Sequence, residues 1–283
     1  MGKVGLLFLV SLLLLALFIP VGCAVETPEN DSPDEDEIIE DSVESGILII
    51  NANGEEFIRE GFTSKDGWDL SFDQAYVTVG NIKAYQSDPP YDTDQGWDIE
   101  YNTMMEVSGI YNANLADPAS DPYQLAVLAD VPAGHYNAIS WQMLRAADGP
   151  SEGYSLFLTG QAEKDGVIID FTLGIEQEVA YLGGDYVGDE RKGIVTSGGT
   201  ADLEMTFHFD HLFGDGDEDI DDPLNLGALG FEPLAALAVD GVVQADFATL
   251  SETLNSDHYA LLVAVLTHLA HVGEGHCLAE FIN

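Results

Sequence analysis

Leu203-Glu204-Met205-Thr206-Phe207-His208-Phe209-Asp210 alternates strictly between apolar and polar side chains. In an extended chain Leu203, Met205, Phe207 and Phe209 fall on one face, and Glu204, Thr206, His208 and Asp210 on the other. That is the period of a strand with one buried face. Upstream the same kind of run recurs between turn signals. Residues 46–52 close on Asn53-Gly54, and residues 69–85 precede the loop Asp88-Pro89-Pro90-Tyr91-Asp92. Residues 123–129 lead into Val131-Pro132-Ala133-Gly134, which launches residues 135–144. Residues 154–162 and 167–174 flank Glu163-Lys164-Asp165-Gly166, whose Asp-Gly pair is a strong hairpin signal. Repeated short strands of this kind predict a mainly antiparallel β-sandwich over residues 46–213.

Beyond residue 213 the period changes. Leu261, Leu262, Val265, Leu266 and Leu269 recur at helical spacing behind a cap offered by Asn255-Ser256-Asp257, and Gly273 can end the helix. Shorter helices are expected near residues 233–239 and 246–254. Residues 214–283 thus read as a loop and C-terminal helices packed against the sandwich and completing the same domain.

Before the sandwich the chain has two parts. Lys3 precedes an apolar run over residues 6–19 that ends at Pro20-Val21-Gly22-Cys23, so residues 1–22 read as an export signal. The Gly22-Cys23 ending predicts lipidation at Cys23, although Pro20 and Val21 depart from the preferred lipobox residues. Residues 23–45 carry ten carboxylates with Pro28 and Pro33, the composition of a disordered tether between an anchor and a domain. The expected location is the cell envelope, on the periplasmic side of a membrane or at the cell surface. No later stretch reaches the ~18 apolar residues of a membrane span. With Cys23 lipidated, Cys277 has no intrachain partner, because the chain has only 2 cysteines.

The 51 Asp and Glu against 8 Lys and Arg give a formal charge of −43. Such a surface repels itself unless salt or cations screen it, which suits a salty habitat or a cation-attracting role. It excludes nucleic acid as a partner, since phosphate binding needs clustered Lys and Arg.

Five of the 7 histidines fall in two segments, Thr206-Phe207-His208-Phe209-Asp210-His211 and His268-Leu269-Ala270-His271-Val272-Gly273-Glu274-Gly275-His276-Cys277. Imidazole, carboxylate and thiolate are the side chains that bind transition metals. His208, His211 and His276 are the first candidates, with Asp210, His271 and Cys277 next and His135 a more distant one. Asp210 could instead orient an imidazole from outside the ligand set. For His208, Asp210 and His211 to converge, the strand must end or bulge near Asp210. His268 and His271, three apart on the expected helix, would share a face, and the bland reading of His268 is a core histidine. The expected ion is zinc or copper. Asp215, Asp217, Asp219 and Asp221 are spaced like the start of a calcium loop, but Ile220 and Leu226 stand where its glycine and glutamate belong. They read as a solvated acidic loop or a low-affinity calcium site.

His208-x-Asp210-His211 is similar to part of the metallo-β-lactamase pattern, but Thr206 stands where the first histidine would be, and alternating helices are lacking. A broader resemblance rests on Gly61-Phe62-Thr63-Ser64-Lys65-Asp66-Gly67-Trp68 with Phe72-Asp73, Val131-Pro132-Ala133-Gly134-His135-Tyr136, Phe207-His208-Phe209-Asp210-His211-Leu212-Phe213 and Gly273-Glu274-Gly275-His276-Cys277. From about Phe57 to Cys277 the chain resembles a group of uncharacterised bacterial periplasmic or surface lipoproteins. The resemblance implies an envelope lipoprotein and supplies no activity. It also implies an EF-hand-like stretch, which here, near Ala238-Val239-Asp240-Gly241-Val242-Val243, has lost nearly all carboxylates. Relatives carry a second cysteine in mid-domain, where this chain has Tyr181-Leu182-Gly183-Gly184.

The expected function is metal handling or sensing by an exported lipoprotein, with a metal transporter or another envelope protein as a possible partner. The alternatives are a metal-dependent hydrolase with Glu274 as base, and a structural or adhesive sandwich whose histidines are merely packed.

Overall fold

The computed structural model describes residues 44–282, apart from Ser120 and Asp189. The export signal, Cys23 and the tether up to residue 43 lie outside the described residues. In chain order the strands are β1 (Ser45–Asn53), β2 (Phe62–Thr63), β3 (Asp69–Ser87), β4 (Tyr101–Asn114), β5 (Tyr123–Pro132), β6 (Gly134–His135), β7 (Ala138–Met143) and β8 (Leu156–Lys164). They continue with β9 (Val167–Ile175), β10 (Glu178–Gly183), β11 (Ile194–Val195), β12 (Thr200–Phe207), β13 (Val242–Asp246), β14 (Ala270–Val272), β15 (Gly275–His276) and β16 (Leu278–Ile282). The helices are α1 (Glu55–Glu60), α2 (Asp210–Phe213), α3 (Pro223–Gly227), α4 (Glu232–Ala235), α5 (Phe247–Thr253) and α6 (Ser256–His268).

The fold is a mainly β sandwich, as the alternation predicts. One sheet runs β15-β14-β12-β1-β5; the larger runs β13-β9-β8-β3-β7-β10-β16, with β2 and β4 also on β3. Most pairs are antiparallel, but β1 pairs with β12, and β13 with β9, in parallel. The β8–β9 hairpin turns on Asp165 and Gly166, both at positive φ (53° and 80°), the pattern a two-residue type I′ turn requires.

One core joins the sheets. Leu48 and Ile50 of β1 and Leu203, Met205 and Phe207 of β12 are buried with Val77, Val79, Trp141, Leu158, Phe171 and Tyr181 from the larger sheet. Each such side chain contributes about 1.5–3 kcal/mol of transfer free energy. β12 is buried on both faces from Leu203 to Phe207, because it lies centrally in its sheet and is covered on the polar side too.

The C-terminal third is less helical than its sequence suggests. α5 and α6 form where expected, and Asn255 caps α6 by accepting from Asp257 N and His258 N. But the helix stops at His268, β14 follows where the expected helix continued to Gly273, and β15 and β16 come after it. The period-3.6 pattern ended one turn early, and Ala270-His271-Val272 was taken up by the free edge of β12. Ser45, assigned to the tether, already belongs to β1.

The Gly61–Trp68 motif is a clamp. Lys65 Nζ donates to the carbonyls of Asn225 and Ala228, the Asp66 carboxylate accepts from Phe231 N and Glu232 N, and Trp68 Nε1 donates to Glu232. It ties the strands before β3 to the α3–α4 segment.

Candidate metal centre

β12 ends at Phe207, whereas the alternation runs on to Asp210. His208 N still donates to Leu269 O at 2.9 Å, and then the chain turns into α2, with His211 N on His208 O at 3.2 Å. Phe209, Leu212 and Phe213 drive this turn inward. Phe209 and Phe213 lie 6.5 and 5.9 Å from Phe72 between ring centroids, and Phe213 lies 6.3 Å from Phe231. With these three side chains in the core, His208 and His211, three residues apart on a helical turn, are left on one side together.

The third imidazole comes from β14. Thr206 and His271 are opposite residues of the antiparallel β12–β14 pair, and directly opposite residues share a face of a sheet. That face is the one carrying Glu204, Thr206 and His208. His271 is therefore a strand residue and not a helical neighbour of His268. It ends 4.6 Å from the His208 ring and 4.9 Å from the His211 ring, which are 5.5 Å from each other. Two imidazoles sharing a tetrahedral ion at an N–metal distance of 2.0–2.1 Å have centroids about 5 Å apart. One ligand atom from each of the three lies within 4.8 Å of the others, so the triad could hold a metal ion.

The electrostatics point the same way. His271 is 3 % exposed, and neither of its ring nitrogens meets a hydrogen-bond partner in the protein. Burial, then the neighbouring His208 and His211, push its pKa down to about 3. Burial and His208 push His211 down to about 4. Both are neutral imidazoles at ordinary pH, the form that ligates. For His208, burial favours the neutral ring, but the Glu55 carboxylate at 3.2 Å from Nδ1 outweighs it and raises the pKa. The same contact holds Glu55 below its ordinary value against the opposing effect of burial. His208 Nε2 lies 3.3 Å from Gly273 O.

Sequence reasoning missed Glu55. Because β1 and β12 run parallel with Asn53 opposite Thr206, the residue two beyond each strand pairing is Glu55 beside His208. Glu55 sits at φ 60°, a region costly for a residue with a Cβ, and Asn53 Oδ1 holds its amide at 2.9 Å. Glu55, His208 and Glu274 form a second group with ligand atoms within 4.8 Å.

Other candidates fall outside these groups. His276 lies directly across the β14–β15 hairpin from His271, with rings 4.7 Å apart, but it is exposed. Asp210 turns back to accept from His211 N at 2.9 Å, and burial raises its pKa. Cys277 points to the opposite face, against β10, where burial of the thiol raises its pKa. His135 pairs with Asp185 at 3.3 Å. In the aspartate loop the buried Asn225 takes the central position. Its amide nitrogen donates to the carbonyls of Asp215, Glu218 and Asp219, and its oxygen accepts from Asp215 N. Those carbonyls are thus tied by a side chain, and the four aspartates form no three-ligand group among the described residues.

A cleft of about 480 Å³, lined by His211, Pro223, Leu224, Gly227, Val265, His268 and His276, reaches the triad at His211. Glu274 does not line it; it lines a separate cavity with Tyr186 and Lys192.

These shifts set the acid stability of the metal-free protein. Folded His271 and His211 bind protons less readily than unfolded histidine, so between pH 6.5 and about 3 the unfolded chain holds more protons. Stability falls as pH drops through that window. His208 acts oppositely: its raised pKa adds stability that is complete below its unfolded value and is lost as pH rises through its folded value. Below pH 6.5 the His208 contribution is already complete, so the two lowered imidazoles set the histidine slope, and the melting temperature of metal-free protein is expected to fall from pH 6.5 to 4. A flat profile in calorimetry over that range would contradict the buried neutral pair.

In comparisons with known proteins, no family model matches the chain, and neither a curated protein nor a solved structure does.

Proposed function

We propose that this protein is an exported envelope lipoprotein that binds one transition-metal ion, zinc or copper, through His208, His211 and His271, for metal handling or sensing. The observation that carries the reading is His271, a fully buried imidazole with two unpartnered nitrogens facing two other imidazoles. Burying polar atoms without partners costs about 1–3 kcal/mol each, a cost that an ion coordinated by the ring offsets. Glu55 completes the arrangement by holding the Nδ1 of His208, which leaves Nε2 for the ion once it parts from Gly273 O. Lipidation at Cys23 would place the domain in the envelope, and the acidic surface would concentrate cations around it.

The hydrolase reading gains from the cleft and loses on its base. A three-histidine ion has an open fourth position, and the cleft could admit a substrate. Glu274, the proposed base, has a carboxylate oxygen within 4.8 Å of a His208 ring nitrogen, but it opens to a different cavity and not to the cleft a substrate would enter. Elemental analysis of the tag-free mature protein, purified without added metal and again after zinc or copper is supplied and the excess removed, tests the proposal. One ion per chain after loading is expected. A chain that retains none returns the histidines to packing.

A further inference from the structure

We infer that the cleft is the route by which the ion reaches the triad, with the imidazoles of His268 and His276 as its first acceptors; this rests on the triad being the metal site. Among the described residues the cleft's polar side chains are three imidazoles, and its other walls are Pro223, Leu224, Gly227 and Val265. No carboxylate among the described residues lines it, although the chain is strongly acidic. The histidines are graded in exposure along it: His268 and His276 are exposed, His211 is half-buried, and His208 and His271 are buried.

The spacing of the rings makes a stepwise transfer possible. His276 and His271 are 4.7 Å apart, and His211 and His271 are 4.9 Å apart. Each step is within the roughly 5 Å at which two imidazoles can share one ion. An ion can therefore exchange its waters for imidazoles one at a time and is never left without ligands. His276 sits at the end of the hairpin turn at Gly273-Glu274, where Gly273 adopts φ 59°. It is an exposed residue of β15, the edge strand of its sheet, and it lines the cleft. The acidic exterior attracts cations in general, and the cleft then selects those that prefer nitrogen over oxygen, because calcium and magnesium gain nothing from imidazole.

The test is the rate of uptake of cobalt(II) by the metal-free mature protein, followed by stopped-flow absorbance of the nitrogen-ligated ion. The variants are a His268→Ala/His276→Ala double substitution and, separately, Leu224→Trp, which narrows the cleft without touching an imidazole. Both should load about tenfold more slowly or worse, the lower end of what a focusing cleft gives to an on-rate. Both should still reach one ion per chain at long times. Uptake at the wild-type rate in both variants overturns the route while leaving the triad standing. A double variant that loads at the normal rate but loses its ion faster makes His276 a resident ligand and also overturns it. A wild-type chain that takes up no cobalt, zinc or copper removes the metal site itself and the route with it.

Discussion

His271→Ala and His208→Ala should each reduce bound metal from one ion per chain to nearly none, while Cys277→Ser keeps the full complement. Two imidazoles on a buried ion leave it under-coordinated, and metal affinity falls steeply with each ligand lost. The two variants should differ in a second respect. Removing His271 also removes two unpartnered buried nitrogens, so the metal-free His271→Ala protein should be no less stable than wild type beyond the cost of the cavity. Removing His208 leaves the half-buried carboxylate of Glu55 without its partner, and His208→Ala should be the less stable of the two. Metal stoichiometry by mass spectrometry under native conditions and thermal melts of metal-free protein read both effects. Full metal content in His208→Ala and His271→Ala would end the triad proposal.

Gly183→Cys should form a disulfide with Cys277 under oxidising conditions and raise stability by up to about 4–5 kcal/mol, the loop-entropy value for a closed loop of roughly 100 residues. A Cβ built on Gly183 falls 2.9 Å from Cys277 Sγ, the separation a disulfide needs between one Cβ and the opposite sulfur. Val272 Cγ2 crowds the same Cβ and must shift, so part of the gain is lost to strain. Denaturant melts with and without reductant measure the gain, and an unchanged midpoint with both thiols still titratable would show that the strain prevails.

The sandwich and the position of α6 were legible because each rests on a local pattern. Apolar, β-branched and aromatic runs between turn signals mark β1, β8 and β9, alternation marks β12, and an Asn cap marks the start of α6. What was not legible depends on pairing between distant segments. β4 has no regular alternation of apolar and polar residues, and pairing along the edge of β3 makes it a strand. Ala270-His271-Val272 continues a helical pattern in sequence, and only the open edge of β12 draws it into a sheet. The candidate site shows the same division. His208 and His211 are neighbours in sequence, and their convergence follows from a strand that stops and turns. His271 and Glu55 join them through the register of β14 and β1 on either side of β12, which nothing local announces.

That register has a further consequence. A strand displaced by one residue presents its other face, so a β14 that slipped against β12 would offer Ala270 or Val272 where His271 belongs. The slipped chain could bury as much apolar surface and look folded to a spectrometer, yet it would have only two of the three ring donors. On the proposed metal reading, bound metal would then be a certificate of correct assembly: it would count the chains whose last strands have found their proper alignment, and it would not be acquired before the C-terminal residues had been made and docked.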